Sequence, residues 1–315
     1  MTEKKYIFGP VPSRRLGFSL GVDLLETKTC TYECVYCQVG RTPNKTTDRA
    51  SYVNKDIIIE QIKDAVSSGK QIDYITFSGT GEPTLNSDIG EIIRQIKQMT
   101  DIPIAVITNG SLLYREDVQR DLSQADFVIP SIDAASQSVY QVINRADERL
   151  NVDAVNKGII EFSKKFKGKI WVEVLFVEGI NDSEEEIERI GKIIKEVRAD
   201  KVQINTVVRP PAEPNAKAVS PQKLEEIKEI FGKYNSDIEI IAPFKKETLS
   251  KREGDFEKEI LDLIKRRPCS VAEMSESLGI HINHISKEVM TLESKKLIKR
   301  FDLDGKVFYT INEKE

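Results

Sequence analysis

The sequence is poor in histidine, with only His281 and His284, and it has just four cysteines in 315 residues. It has no run of about eighteen apolar residues, which excludes a helical membrane span and leaves no membrane partner expected. Its first residues, Met1-Thr2-Glu3-Lys4-Lys5, are polar and lead into Tyr6-Ile7-Phe8 without the apolar stretch of a secretory signal, so the expected location is cytoplasmic. In that compartment four cysteines do not make a disulfide framework. No fixed-period repeat and no low-complexity tract is present. The formal net charge is only −4, so no global positive field draws the chain to nucleic acid or anionic lipid. What is present is a 39% hydrophobic share, enough for a core, and a 31% charged share suited to solvated helix faces.

From about Gly17 to Tyr234, strand and helix patterns alternate. Ser19–Leu25, Asp73–Ser78, Ile102–Thr108, Phe127–Asp133, Lys169–Val177 and Lys201–Val207 are short and rich in Val and Ile, as strands buried on both faces are. Between them, Asp56–Ser67, Ile89–Met99 and Glu184–Val197 each carry one apolar stripe at the 3.6-residue period. Pro221–Tyr234 is a further helix, with Ser220 as its N-cap. Six βα units predict parallel strands with crossover helices, arranged either as a doubly wound sheet or as an open barrel. In both, function gathers at the carboxyl ends of the strands.

Arg209-Pro210-Pro211-Ala212-Glu213-Pro214 cannot be regular structure and is expected as a loop after the sixth strand. Around 242–254 the sequence turns polar and lysine-rich, the pattern of a linker. The expected organisation is a barrel domain over 1–241, a linker over 242–254 and a small domain over 255–315. In the last, Phe256–Ile264, a helix from Ser270 through Leu278 ended by Gly279, and Ile282–Ser294 precede two strands, Leu297–Phe301 and Lys306–Ile311, around Asp304-Gly305. Three helices and a hairpin outline a winged helix-turn-helix.

Three of the four cysteines lie in Cys30-Thr31-Tyr32-Glu33-Cys34-Val35-Tyr36-Cys37, spaced C-x3-C-x2-C. Three thiolates on one short loop can approach one iron–sulfur cubane and leave its fourth iron without a thiolate. An open coordination position separates a reactive metal centre from a structural one. Zinc is the rival, although no fourth Cys or His lies nearby; three buried structural cysteines are the plainer alternative. Cys269 stands alone and fits a small buried apolar residue.

The C-x3-C-x2-C loop after the first strand resembles the radical S-adenosylmethionine (SAM) superfamily, over about residues 6–235. The resemblance implies a partial (βα)6 TIM-like barrel, so that the expected fold is α/β with a winged-helix appendage. It implies a [4Fe–4S] cluster on Cys30, Cys34 and Cys37, and SAM bound at the open iron. One electron, from a donor of the flavodoxin or ferredoxin type, then cleaves SAM to methionine and a 5′-deoxyadenosyl radical that abstracts hydrogen from substrate. Tyr36 occupies the position of an aromatic that packs near adenine.

Ser78-Gly79-Thr80-Gly81-Glu82-Pro83 follows the second strand. A glycine turn there suggests phosphate binding, but a carboxylate repels phosphate and attracts an ammonium. The stretch resembles the family's Gly-Gly-Glu-Pro element, which binds the SAM amino group, with Thr80 replacing the second glycine. The resemblance also gives Asn109, Ser131, Asp133, Gln203 and Asn205, at later strand ends, contacts to SAM; each is alternatively a helix cap with a purely structural role. Glu173 lies in the fifth strand. Arg145 and Arg209 are candidates for a substrate anion or the SAM carboxylate; each is alternatively a solvated surface arginine.

Phe8-Gly9-Pro10-Val11-Pro12-Ser13-Arg14-Arg15 through Asp23, with Lys28-Thr29-Cys30 and Cys37-Gln38-Val39-Gly40-Arg41-Thr42, resembles a prokaryotic branch related to wyosine-type tRNA-modifying (4-demethylwyosine synthase-like) enzymes. Those carry cysteines ahead of the SAM triad for an auxiliary cluster, and here no cysteine precedes Cys30. Arg14 and Arg15 either bind a phosphate-bearing substrate or cap the barrel rim. From Asp255 onward 11 Lys/Arg face 12 Asp/Glu, which does not supply the local positive charge that phosphate-driven binding needs. The expected role of that domain is docking of an RNA, peptide or protein substrate, with DNA or RNA binding at a basic corner of Lys295, Lys296, Lys299 and Arg300 as the alternative. The expected function is a radical SAM oxidoreductase or transferase on an RNA base, a peptide or a metabolite. An iron–sulfur sensor acting through the winged helix and, more remotely, an activase for a partner enzyme are the alternatives.

Overall fold

The computed structural model describes residues 5–13, 15–241, 256–280, 282–303 and 305–312. Arg14, His281, Asp304 and the stretch expected as a linker lie outside the described residues. The described residues fall into two compact units, one within Met1–Pro10 and Arg15–Ala242, the other within Val11–Arg14 and Pro243–Glu315.

Along the chain come β1 (Ile7–Ser13), β2 (Gly17–Val22), β3 (Thr29–Cys30), β4 (Asn44–Lys45), α1 (Lys55–Ser67) and β5 (Tyr74–Phe77). There follow α2 (Ile89–Met99), β6 (Ile104–Thr108), α3 (Glu116–Leu122), β7 (Phe127–Pro130), α4 (Gln137–Ile143), α5 (Val152–Lys165) and β8 (Lys169–Phe176). Then come α6 (Glu184–Glu196), β9 (Lys201–Thr206), α7 (Pro221–Phe231) and β10 (Ile238–Ile240).

The main sheet is ordered β1-β2-β5-β6-β7-β8-β9-β10. From β2 to β10 every neighbouring pair is parallel. The fold is α/β with a mostly parallel sheet. Each crossover steps one place in the same direction, without the reversal of a doubly wound sheet, which is consistent with a partial barrel.

The two faces of the sheet differ at period 2. One face sends Leu20, Val22, Ile75, Phe77, Val106, Val128, Val172, Val174, Val202 and Ile204 into the main core, where the isoleucines of α2 and α6 meet them. Ile89, Ile92, Ile93 and Ile96 of α2 are fully buried there, each stabilising by about 2 kcal/mol. The alternate residues begin, at the amino ends of the strands, with a cluster of Leu16, Ala105, Phe127 and Ile129 packed by Tyr74 and Trp171. Phe127 meets Tyr74 and Trp171 edge-on at 5.2 and 5.1 Å. Toward the carboxyl ends the same alternation becomes polar: Thr76, Glu173, Gln203 and Asn205 are buried. One face therefore supplies stability, and the other runs from an aromatic plug to a polar floor.

The structure trims and extends the expected elements. The strand expected over Ser19–Leu25 ends at Val22, because Asp23 turns the chain and its Oδ1 accepts the Leu25 N–H at 3.2 Å. The strand expected over Phe127–Asp133 ends at Pro130, which has no N–H to continue the ladder. Ser131 then forms an isolated bridge to Glu173. Helices α3, α4 and α5 occupy stretches that gave no expected element, although α5 has Asn151 as N-cap and buries Val152, Val155, Ile159 and Phe162. Ser220 caps α7 as expected, accepting from the Lys223 N–H.

The smaller unit comprises α8 (Glu257–Arg266), α9 (Val271–Leu278), α10 (Ile282–Ser294) and the antiparallel pair β11 (Ile298–Leu303) and β12 (Lys306–Ile311). Ser270 and Glu273 form a reciprocal capping box on α9, and Gly279 ends it in the left-handed conformation. Its own core includes Ile260, Cys269, Met274, Ile285, Val289 and Leu292.

Candidate active site

The cysteine loop is tied down at both ends. Strand β3 pairs with β4, placing Cys30 opposite Lys45, and the Thr46 N–H returns to the Cys30 carbonyl at 3.0 Å. Between them, Cys37 N–H bonds Cys34 O and Gly40 N–H bonds Cys37 O, two successive turns. Glu33 and Val35 donate their backbone N–H groups to the carbonyls of Asn144 and Ile143, at the end of α4. Tyr32 and Val35 anchor the loop in the core, while Cys30, Cys34 and Cys37 stay partly exposed.

Each sulfur accepts one side-chain N–H. Asn109 Nδ2 donates to Cys30 Sγ at 3.6 Å, Asn144 Nδ2 to Cys34 Sγ at 3.5 Å, and Lys28 Nζ to Cys37 Sγ at 3.1 Å. The sulfurs also sense one another electrostatically. Burial, then Glu82, pushes the Cys30 thiol up to about 12. Burial, then Cys30 and Asp133, pushes Cys34 well above the usual thiol range. Coordination reverses that balance, because a thiol bound to a metal is deprotonated outright.

The glycine loop leans on the cysteine loop. The Glu82 N–H bonds the Thr29 carbonyl at 3.1 Å, and a Cβ on Gly81 would overlap that same carbonyl, so the close approach needs glycine. A Cβ on Gly79 would strike the Asp23 carboxylate. That carboxylate accepts the Thr80 N–H at 3.1 Å and the Thr80 hydroxyl at 3.3 Å, which accounts for threonine where the family has glycine. Ser78 continues the strand alignment through its N–H to Val22 O. Glu82 is buried and its carboxylate accepts from Thr84 N, Thr84 Oγ1, Thr108 Oγ1 and Asn109 N at 2.6–3.0 Å. Burial pushes its carboxyl up and these bonds pull it down. Glu82 thus frames the loop and ties it to the end of β6.

The remaining residues expected at strand ends divide into two groups. Asn109 bonds Thr31 Oγ1 at 2.7 Å and so joins β6 to the cysteine loop. Asp133 accepts from Tyr36 OH, from Asn144 Nδ2 at 3.0 Å and from Leu175 N at 3.0 Å; burial pushes it up to about 6. Deeper in the sheet, Glu173 pairs with Arg15 and accepts Asn205 Nδ2 at 2.9 Å. Gln203 lies beside Glu173 in register and is buried. Arg145 donates to Glu213 at 2.6 Å and Arg209 to Gln38 at 3.2 Å, so both brace loops. Three residues escaped the sequence reading. Asp23 and Lys28 lie within stretches that carry a family resemblance but no role for either, and Asn144 carries no motif.

Three sulfurs on one short loop suit three irons of a cubane. Among the described residues no three His, Cys, Asp or Glu side chains converge on a single-ion site, and ligands to separate irons stand wider apart than ligands of one ion.

A model described as the radical SAM superfamily matches residues 26–191. The chain belongs to the radical SAM superfamily. Its cofactors are those of the superfamily, a [4Fe–4S] cluster and SAM. A UPF0026 protein of Methanocaldococcus jannaschii is 37% identical over 97% of this chain and 95% of its own length. A protein of Brachyspira hyodysenteriae named GTPase Obg is 39% identical over 98% of this chain, which spans only 45% of that protein. A radical SAM methyltransferase from Sphaerobacter thermophilus shares the fold, with a TM-score of 0.56 at 15% identity over 70% of this chain and 65% of that one. Among the described residues no helix is long and apolar enough to cross a membrane.

Proposed function

We propose that this chain is a radical SAM enzyme in which Cys30, Cys34 and Cys37 hold three irons of the [4Fe–4S] cluster. The carrying observation is three partly exposed sulfurs, each met by a side-chain N–H, on a loop bonded to the Gly79–Pro83 turn. When bound, the cluster supplies the electron that cleaves SAM to methionine and a 5′-deoxyadenosyl radical. The chain's residues do the positioning. The backbone of Ser78–Gly81, fixed by Asp23 and Glu82, receives the SAM amino group. Tyr36, Asn109, Ser131 and Asp133 line the ribose and adenine side, and Gln203 and Asn205 extend that lining along the sheet. Arg15, paired with Glu173 at the polar floor, orients substrate. Arg145 and Arg209, held by Glu213 and Gln38, flank the cysteine loop where a substrate anion would enter.

The substrate is an RNA base, a peptide or a metabolite, and the electron donor is of the flavodoxin or ferredoxin type. Kinship with the wyosine-type enzymes rests on residues 8–23, 28–30 and 37–42. The GTPase name belongs to the Brachyspira protein; this chain has no Gly-x4-Gly-Lys-Ser/Thr phosphate loop. The larger unit is the partial (βα)6 barrel domain, and the capped three-helix unit with its β11–β12 hairpin is a winged helix that docks the substrate in the cytoplasm. Anaerobic reconstitution with iron and sulfide, followed by assay of 5′-deoxyadenosine under strong reductant, tests the assignment. Release of 5′-deoxyadenosine is expected; a purified chain that holds no cubane, or holds one and leaves SAM intact, sinks it.

A further inference from the structure

We infer that Lys28, Asn109 and Asn144 form a hydrogen-bonding collar, one N–H donor for each cysteine sulfur, and that Lys28 raises the reduction potential of the cluster those sulfurs hold. The inference rests on the ligand assignment proposed above. The donors come from three separate segments: the turn before β3, the end of β6 and the end of α4. Each is held by a second bond. Lys28 Nζ also donates to the Gly40 carbonyl. Asn109 Nδ2 donates to Thr31 Oγ1 at 2.7 Å while its Oδ1 accepts the Ser111 N–H at 3.0 Å, so the amide cannot turn away. Asn144, itself buried, donates to Asp133 Oδ2 at 3.0 Å.

Reduction adds negative charge that spreads onto the thiolate sulfurs, and N–H donors and nearby cations stabilise the reduced state. The collar is asymmetric. Glu82 and Asp133 carboxylates act on the Cys30 and Cys34 sulfurs, whereas Cys37 has an ammonium at 3.1 Å. Asn109 and Asn144 orient sulfurs without adding charge. Lys28 is the member whose removal changes both a donor and a full positive charge, so the potential responds most to it.

The full-length chain, reconstituted anaerobically, is titrated with mediators and followed by electron paramagnetic resonance in four forms: wild type, Lys28→Arg, Lys28→Gln and Lys28→Met. Arginine keeps charge and donor, glutamine keeps a donor, and methionine keeps neither. Lys28→Arg is expected to titrate with wild type. Lys28→Met is expected to show an about tenfold lower ratio of reduced to oxidised cluster at a given potential, a midpoint lowered by ~59 mV for a one-electron couple, with Lys28→Gln between. Equal midpoints in all four overturn the inference. If Lys28→Met takes up no cluster, Lys28→Gln against Lys28→Arg carries the comparison, and equality there overturns it too. A wild-type chain that binds no cubane overturns the ligand assignment instead, which keeps the two failures apart.

Discussion

Cys269 and the trio Cys30, Cys34 and Cys37 are the same residue in two unlike places. Cys269 is fully buried among Ile260, Met274, Ile285 and Leu292 in the smaller unit. Its backbone bridges to Tyr309 and its thiol reaches the Arg267 carbonyl at 3.4 Å. The other three are partly exposed, on a loop built of consecutive turns, and each sulfur faces an N–H. What stands opposite the sulfur decides its chemistry. Apolar contacts make a cysteine a small hydrophobe, while N–H donors and an exposed side make it a ligand.

The strongest way to break the contrast is Cys34→Ala. A cubane held by two thiolates has lost a third of its protein ligands, and Asn144 is left aimed at a methyl group. The reconstituted variant should hold no [4Fe–4S] cluster, by iron and sulfide analysis and by loss of the visible absorption. Its 5′-deoxyadenosine production should vanish with it. A cluster retained at wild-type level would remove Cys34 from the ligand set.

A smaller effect should come from Asp133, which shares Asn144 with Cys34. Burial pushes its carboxyl from 3.8 to about 6, against the hydrogen bonds from Tyr36, Leu175 and Asn144. The folded chain therefore binds that proton more tightly than the unfolded chain does. The resulting stabilisation is fully present below the unfolded value and is lost as pH rises through about 6. The difference corresponds to roughly 3 kcal/mol. Asp133→Asn removes the titration. Urea unfolding of the cluster-free chain should therefore show the variant gaining roughly 2 to 3 kcal/mol on wild type between pH of about 4 and about 7. A pH-independent gap between the two would place Asp133 outside the buried network.

Both effects involve contacts of different legibility. The spacing of the cysteines, the Gly79–Pro83 turn and the caps at Ser220 and Ser270 are local, so a few consecutive residues carry them. The parallel strands were legible for the same reason, as runs of Val and Ile. Asn144 was not: it ends α4, a seven-residue helix with no side-chain cap bond, and it reaches Cys34 only because the loop folds back on that helix. Arg145 was legible only as a candidate for an anion or as a surface arginine; its backbone φ of 44° and its bond to Glu213, 68 residues away, depend on how the later loop folds back. Strand β10 is three residues long and alternates in exposure, too short for a period to show. Glu82 was legible as a carboxylate beside the cofactor. That Thr84, Thr108 and Asn109 would engage it depends on how β5 and β6 lie together.

The smallest effect sharpens the contrast from the other side. Cys269→Ala removes one sulfur from a packed core and one weak bond to Arg267 O. The remaining void is smaller than that left by a leucine, so the cost should be ~1 kcal/mol, read as a lower unfolding midpoint in urea. Its iron content and visible spectrum should match wild type, because Cys269 is buried in the apolar core of the smaller unit and stands outside the C-x3-C-x2-C loop. A loss of iron in Cys269→Ala comparable to that in Cys34→Ala would erase the distinction between the two kinds of cysteine. A stability loss with unchanged iron would fix it, since one substitution would then move only packing and the other only the metal.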